Sequence, residues 1–224
     1  MEFQAASDQT LLVHLGDQIG ATTHERVVRL LQALQAEPIK WLRNIQPAYC
    51  SLLITFDAAA VDHTGVLEKL TLLEKRAKKL PAVKPRLVEV PVCYGGEFGP
   101  DLEWVTKHLG LTAEQVVELH ISPVYHAYFL GFAPGFAYLG DLAKELTVPR
   151  LDAPRKEVHA GSVGIAGRQT AIYPCKTPGG WRLIGRTPLE IFQKYRDPMG
   201  LIAIGDQVKF QPITRAKFLA ARQA

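Results

Sequence analysis

The chain has 224 residues, 47% hydrophobic and 21% charged, with 26 Lys+Arg against 22 Asp+Glu, a composition that supplies a core and excludes disorder as the main state. Its length suits one large domain or two small ones, and no apolar run approaches the roughly 18 residues that a membrane span requires. The opening MEFQAASDQT has neither a basic nor an apolar signal region, so a cytoplasmic protein is expected.

Along the chain, the apolar run 11–15 closed by Gly16 reads as a strand. Residues 22–36 follow as a helix, with Val27, Leu30, Leu31 and Leu34 at helical spacing, Thr22 or Thr23 as the cap and Pro38 past the end. SLLITF (51–56) is a second strand, stopped by Asp57. A second helix is expected over about 61–80, with Val66, Leu70 and Leu73 on one stripe. The basic run 75–79 sits where the helix dipole favours cations, and Pro81 and Pro85 terminate the helix. RLVEVPVC (86–93) reads as a third strand, which makes residues 1–88 a small β-α-β-α-β domain of α+β class with its helices on one face.

Beyond the loop of Gly95, Gly96, Gly99 and Pro100, two short helices are predicted at 102–109 and 113–119, the second opened by a Thr112–Gln115 capping box. From Ile121 the pattern turns to short β-rich stretches (124–130, 162–166, 169–174, 181–186 and 207–210) punctuated by Gly and Pro. Residues 89–224 are therefore expected to form a barrel or sandwich of short strands.

Charge is uneven: residues 1–120 carry 12 basic and 15 acidic side chains, residues 121–224 carry 14 and 7, so the second half attracts small anions. Nucleic acid is disfavoured, because no basic stretch is interleaved with stacking aromatics. Cys50, Cys93 and Cys175 are too dispersed for a zinc knuckle or redox pair and read as reduced thiols, with no metal expected. No HExxH, GxxxxGK[ST] or G-x-S-x-G spacing occurs.

Glycine and proline concentrate in GFAPGFAYLG (131–140), HAGSVGIAG (159–167) and YPCKTPGGW (173–181). Turn chemistry accounts for each loop singly. Together, on a β scaffold, they suggest a binding site. Phe132, Phe136, Tyr138, Tyr173 and Trp181 would line an apolar pocket, and Ser162, Gln169, Thr170 and Thr187 would give neutral polar contacts. Arg155, Arg168 and Arg186 would offer bidentate contacts to a carboxylate or phosphate. His126 and His159 lie near these loops as possible bases, and Glu97 and Asp101 flank the glycine loop.

CYGGEFGPDLEWV (93–105), FLGFAPGFAYLGDL, AGSVGIAGRQTAIYP and TPGGWRLIGRTPL (177–189), in this order and spacing, resemble the family of 5-oxoprolinase B subunits, also called the KipI or allophanate hydrolase subunit 1 family. The resemblance is dense over 90–189. It implies a small α+β N-terminal domain followed by a mainly-β cyclophilin-like barrel. It also implies likeness to half of the carboxyltransferase region of urea carboxylase. The implied activity is ATP-dependent opening of 5-oxoproline (pyroglutamate) to glutamate, together with subunits C and A. The chain would be inactive alone, and which of the three binds the ATP is left open. Alternatives within the family are inhibition of a sensor histidine kinase and a carboxyltransferase-like role in urea or allophanate metabolism.

The resemblance carries its loop residues onto this sequence without settling their roles; among them, Arg155, Ser162 and Arg186 are expected to be catalytic. Substrate contacts would come from Phe132, Pro134, Gly135 and Phe136 in the first loop, Gly161, Gln169, Thr170 and Tyr173 in the middle, and Gly179, Gly180 and Trp181 in the last. Two departures from the family pattern are His159, where proline is common, and Ala171, where glycine is common.

Overall fold

A computed structural model describes residues 1–79 and 84–223. The chain separates into two compact units, Met1–Lys84 and Pro85–Ala224.

The first unit contains β1 (Glu2–Ser7), β2 (Thr10–His14), α1 (Ala21–Gln35), β3 (Leu42–Pro47), β4 (Ser51–Phe56) and α2 (His63–Ala77). Its antiparallel sheet runs β1-β2-β4-β3. Alternation builds the buried face: Leu11 and Val13 of β2 and Leu52, Ile54 and Phe56 of β4 are buried. The apolar stripes of the helices, Val27, Leu30 and Leu34 on α1 and Val66, Leu70 and Leu73 on α2, are buried as well. β1 and β3 are mostly solvent-facing, which hid them from the hydrophobic pattern. The cap expected at Thr22 or Thr23 is corrected: both lie inside α1, whose N-cap is Gly20 with no side-chain bond. α2 is capped by Asp62, whose carboxylate accepts from the Gly65 N–H at 2.9 Å. The helix end expected at Leu80 and Pro81 lies outside the described residues.

The strand at 86–93 is the larger correction. It forms β5 (Leu87–Tyr94) of the second unit, where it pairs in parallel with a strand 120 residues further on, Gln207 lying opposite Leu87.

After β5 come α3 (Leu102–Leu109), α4 (Ala113–Ile121), β6 (Tyr125–Leu130) and β7 (Ala137–Gly140). β8 (Arg155–Val158), β9 (Ser162–Ala166), β10 (Gln169–Ile172), β11 (Thr177–Gly179), β12 (Arg182–Arg186), β13 (Gln207–Pro212) and α5 (Arg215–Gln223) complete the unit. The expected capping box is present: the Thr112 hydroxyl accepts from the Gln115 N–H and the Gln115 side chain accepts from the Thr112 N–H. Seven strands close a barrel in the order β10-β7-β6-β13-β5-β12-β9, with β9 pairing back to β10. β8 and β11 form a separate two-stranded sheet. Val90, Val92, Ala127, Leu139, Val163, Ile165, Ile184 and Val208 are fully buried in the barrel's core. Among the described residues no helix is long and apolar enough to cross a membrane.

α4 contributes a polar exception to this core. His120 is 0% exposed. Its Nδ1 lies 2.8 Å from the Tyr94 hydroxyl and its Nε2 2.9 Å from Thr170 Oγ1, which donates to the Gly164 carbonyl at 3.1 Å. Because the threonine proton is used on that carbonyl, the ring donates from Nε2 and accepts from Tyr94 at Nδ1. Burial holds its pKa down at about 3, so the ring is neutral.

A candidate anion-binding pocket

Outside the barrel core, a second cluster gathers Phe136, Tyr173, Trp181 and Leu183, with Tyr138 packed against it. Its rings meet edge to face: Phe136 lies 5.7 Å from Trp181 at 88° and 5.3 Å from Tyr173 at 76°. Above them is a cavity of about 270 Å³ whose aromatic walls are Phe132, Phe136, Tyr138, Tyr173 and Trp181. Pro154, Pro178, Gly179 and Gly180 complete the wall, and Arg150 stands at it as the cation.

Local geometry explains why glycines and a strained residue occur here. A Cβ on Gly179 would fall 2.5 Å from the Tyr173 hydroxyl, so only glycine lets that ring form the wall. Phe132 adopts φ 69, a left-handed conformation unfavourable for a bulky side chain, at the tip of a tight turn closed by Gly131 N–H to Phe136 carbonyl and Phe136 N–H to Ala133 carbonyl bonds. The residue is 61% exposed, yet its ring centroid lies 5.2 Å from that of Phe136.

The loops at 131–140 and 173–181 thus converge on one cavity. The loop at 159–167 serves from behind: the Gly161 N–H donates to the Tyr173 carbonyl at 2.7 Å and the Tyr173 N–H to the Ser162 carbonyl at 2.9 Å. Of the sequence-derived contacts, Phe132, Phe136, Tyr173, Gly179, Gly180 and Trp181 line the cavity. Pro134 and Gly135 border a separate open groove that Phe132 also lines. Gln169 is half-buried on β10, opposite Ala166.

The structure places the other expected site residues away from the lining of this cavity. Thr170 is 0% exposed, spends its hydroxyl on His120 and Gly164, and does not line the cavity. Ser162 is 4% exposed and does not line the cavity. Arg155 binds the buried Asp101 carboxylate at 2.6 Å and the Trp181 carbonyl at 3.4 Å. The other Asp101 oxygen accepts from the Leu183 N–H at 2.6 Å. Arg155 and Asp101 therefore hold the backbone that carries Trp181. Arg186 donates to the Ala160 carbonyl at 2.9 Å, and burial followed by the neighbouring Arg222 charge lowers its pKa.

His159 is exposed just past the end of β8, 3.7 Å from Glu157, which also pairs with Lys176. His126, on β6, has its pKa lowered by burial and does not line the cavity. Among the described residues no group of His, Cys, Asp and Glu is arranged to hold a metal ion.

Sequence reasoning missed Arg150, whose guanidinium lies 5.8 Å from the centroid of the Trp181 ring. The available signal was its place between Pro149 and Pro154 just ahead of the glycine loops. Burial raises the Tyr173 pKa, opposed by a backbone bond from Trp181 and by the charges of Arg150 and Arg155.

The family model for the carboxyltransferase domain, subdomain C and D, matches residues 1–202. The 5-oxoprolinase B subunit of Bacillus subtilis is 37% identical over 99% of this chain and 97% of its own length. The chain belongs to the family of 5-oxoprolinase B subunits. The Escherichia coli O157:H7 member is 50% identical over 65% of this chain and 68% of its own. The fold recurs in the crystal structure of the Kluyveromyces lactis urea amidolyase, at 20% identity and a TM-score of 0.76 over 97% of this chain, which spans 15% of that larger protein.

Proposed function

We propose that this chain is the B component of an ATP-dependent 5-oxoprolinase, which opens 5-oxoproline to glutamate together with subunits A and C. The observation that carries the reading is the 37% identity to a 5-oxoprolinase B subunit over essentially both full lengths. The pocket supports it on chemical grounds. 5-Oxoproline is a small flat lactam bearing one carboxylate, and the cavity offers aromatic faces for the ring and one cation, Arg150, for the acid.

A lactam carbonyl is a poor electrophile, and ATP supplies activation of the amide oxygen when it is bound to the complex. The residues here do not fit a nucleotide: the sequence has no GxxxxGK[ST] loop, and the cavity has apolar walls with a single guanidinium, suited to a monoanion rather than a triphosphate. ATP is therefore assigned to another component of the complex. This chain binds and orients the lactam and keeps water from its ring face, while Arg155 and Asp101 hold the Trp181 wall in place.

The test is reconstitution. Co-expressed with subunits A and C, the chain should give ATP-dependent glutamate release from 5-oxoproline, and leaving it out should abolish release. Undiminished release in its absence would refute the assignment and return the kinase-inhibitor alternative to the front.

A further inference from the structure

Resting on the reading of this cavity as the 5-oxoproline site, we infer that Arg150 is its specificity-determining residue: it recognises the ring carboxylate and so selects acidic lactams over neutral ones. Three other arginines of this unit already have partners. Arg155 is committed to the buried Asp101. Arg182 lies over the Trp104 ring at 3.4 Å and donates to the Pro149 carbonyl at 3.3 Å. Arg186 is held on the Ala160 carbonyl. Arg150 is the one cation among the residues lining the cavity, and none of the ion pairs among the described residues includes it.

Its position is built rather than incidental. The preceding carbonyl, Pro149, takes the Arg182 bond, and the following N–H, Leu151, donates to the Gly180 carbonyl at 2.7 Å. The backbone on both sides of Arg150 is thus tied to the segment that carries Trp181, fixing the root of the arginine against the indole face. Such pre-organisation reduces the ordering needed for a bidentate contact. A carboxylate entering these aromatic walls without a cation would lose hydration uncompensated. A neutral lactam makes no such demand, so discrimination between the two falls on this side chain.

The experiment measures equilibrium binding of 5-oxoproline and of 2-pyrrolidinone, the same ring without the carboxylate, to the assembled complex, with steady-state turnover alongside. Arg150→Met should weaken 5-oxoproline binding about ten- to a hundredfold, the range expected for one charge-assisted hydrogen-bonded contact, and leave 2-pyrrolidinone unchanged. KM should rise while kcat changes less, and Arg150→Lys should restore part of the loss. Because Arg150 is exposed, the variants should fold normally. Equal weakening for both ligands, or no weakening, overturns the inference, as does a wild-type complex that binds both lactams equally. A complex that binds 5-oxoproline through Arg150 yet releases no glutamate sinks the function proposal and leaves the inference standing.

Discussion

Lowering the pH should weaken the barrel unit through one side chain, His120. The neutral ring is enclosed by Tyr94, Tyr125, Thr170 and Phe210, none of which supplies a negative charge to a protonated imidazole. Burial pushes the phenols of Tyr94 and Tyr125 upward, so both remain neutral donors. In the unfolded chain the ring takes a proton below about pH 6.5, while in the folded protein it resists until about 3. Between these limits the unfolded state holds one proton more than the folded state, so stability falls as pH falls, by about 1.4 kcal/mol per pH unit. From about pH 6.5, where the unfolded ring is half protonated, to pH 4.5 the loss is roughly 2 kcal/mol, a sizeable part of the 5–15 kcal/mol typical of a domain. Above about pH 7 the group contributes no slope.

The assay is urea unfolding followed by tryptophan fluorescence in a Trp41→Phe background, so that Trp104 and Trp181 of the barrel unit report. His126, whose pKa burial also lowers, adds a slope of the same sign. The decisive comparison is therefore with His120→Asn, which should remove most of the slope. A wild-type midpoint that is flat from pH 6.5 to 4.5, or an unchanged slope in the variant, would refute the assignment of a buried neutral ring. An imidazole resonance showing Nδ1 unprotonated at pH 5 would support it independently of stability.

Asp101→Ala strands Arg155 and the Leu183 N–H, and since Arg155 keeps 28% of its side-chain surface in solvent, the expected loss is about 2–3 kcal/mol, read from denaturant midpoints. A loss under about 0.5 kcal/mol would mean the pair is not holding the segment that carries Trp181. Gly179→Ala places a methyl 2.5 Å from the Tyr173 hydroxyl, so ligand affinity should fall at least about tenfold with a stability loss of about 1–3 kcal/mol; full retention of both would contradict the packing. Phe132→Gly releases a left-handed φ of 69 at a residue 61% exposed. Stability should hold or rise by up to about 1 kcal/mol while pocket affinity drops, and a clear destabilisation would show that the loop is unstrained.

Legibility in the sequence followed the range of the interactions. Residues 51–56 were readable as an apolar, β-forming run, whose burial alternates because one face of β4 is core, and Ser162–Ala166 was readable from its Gly and Pro boundaries. The strand at Leu87–Tyr94 was equally visible as a strand, but its partner lies 120 residues away, so adjacency in sequence put it in the wrong unit. Thr170 looked like a surface contact because nothing local reveals a histidine 50 residues upstream waiting inside the barrel. Arg155 was visible as an arginine beside the loops, but its commitment depends on Asp101, 54 residues earlier. The aromatic walls were legible because their rings sit within the two loops that converge. Arg150 was not, since its role follows from the Arg182 and Gly180 bonds that tie its backbone to the pocket.

The most direct measurement is glutamate release, with ATP and with 5-oxoproline as sole substrate, by the co-purified assembly of all three subunits carrying either the wild-type chain or Trp181→Ala. Wild type should release glutamate in step with ATP consumption, and the substitution should cut kcat/KM by at least about tenfold through loss of the aromatic wall. Absence of glutamate from the wild-type assembly, or equal release by both, would contradict the account.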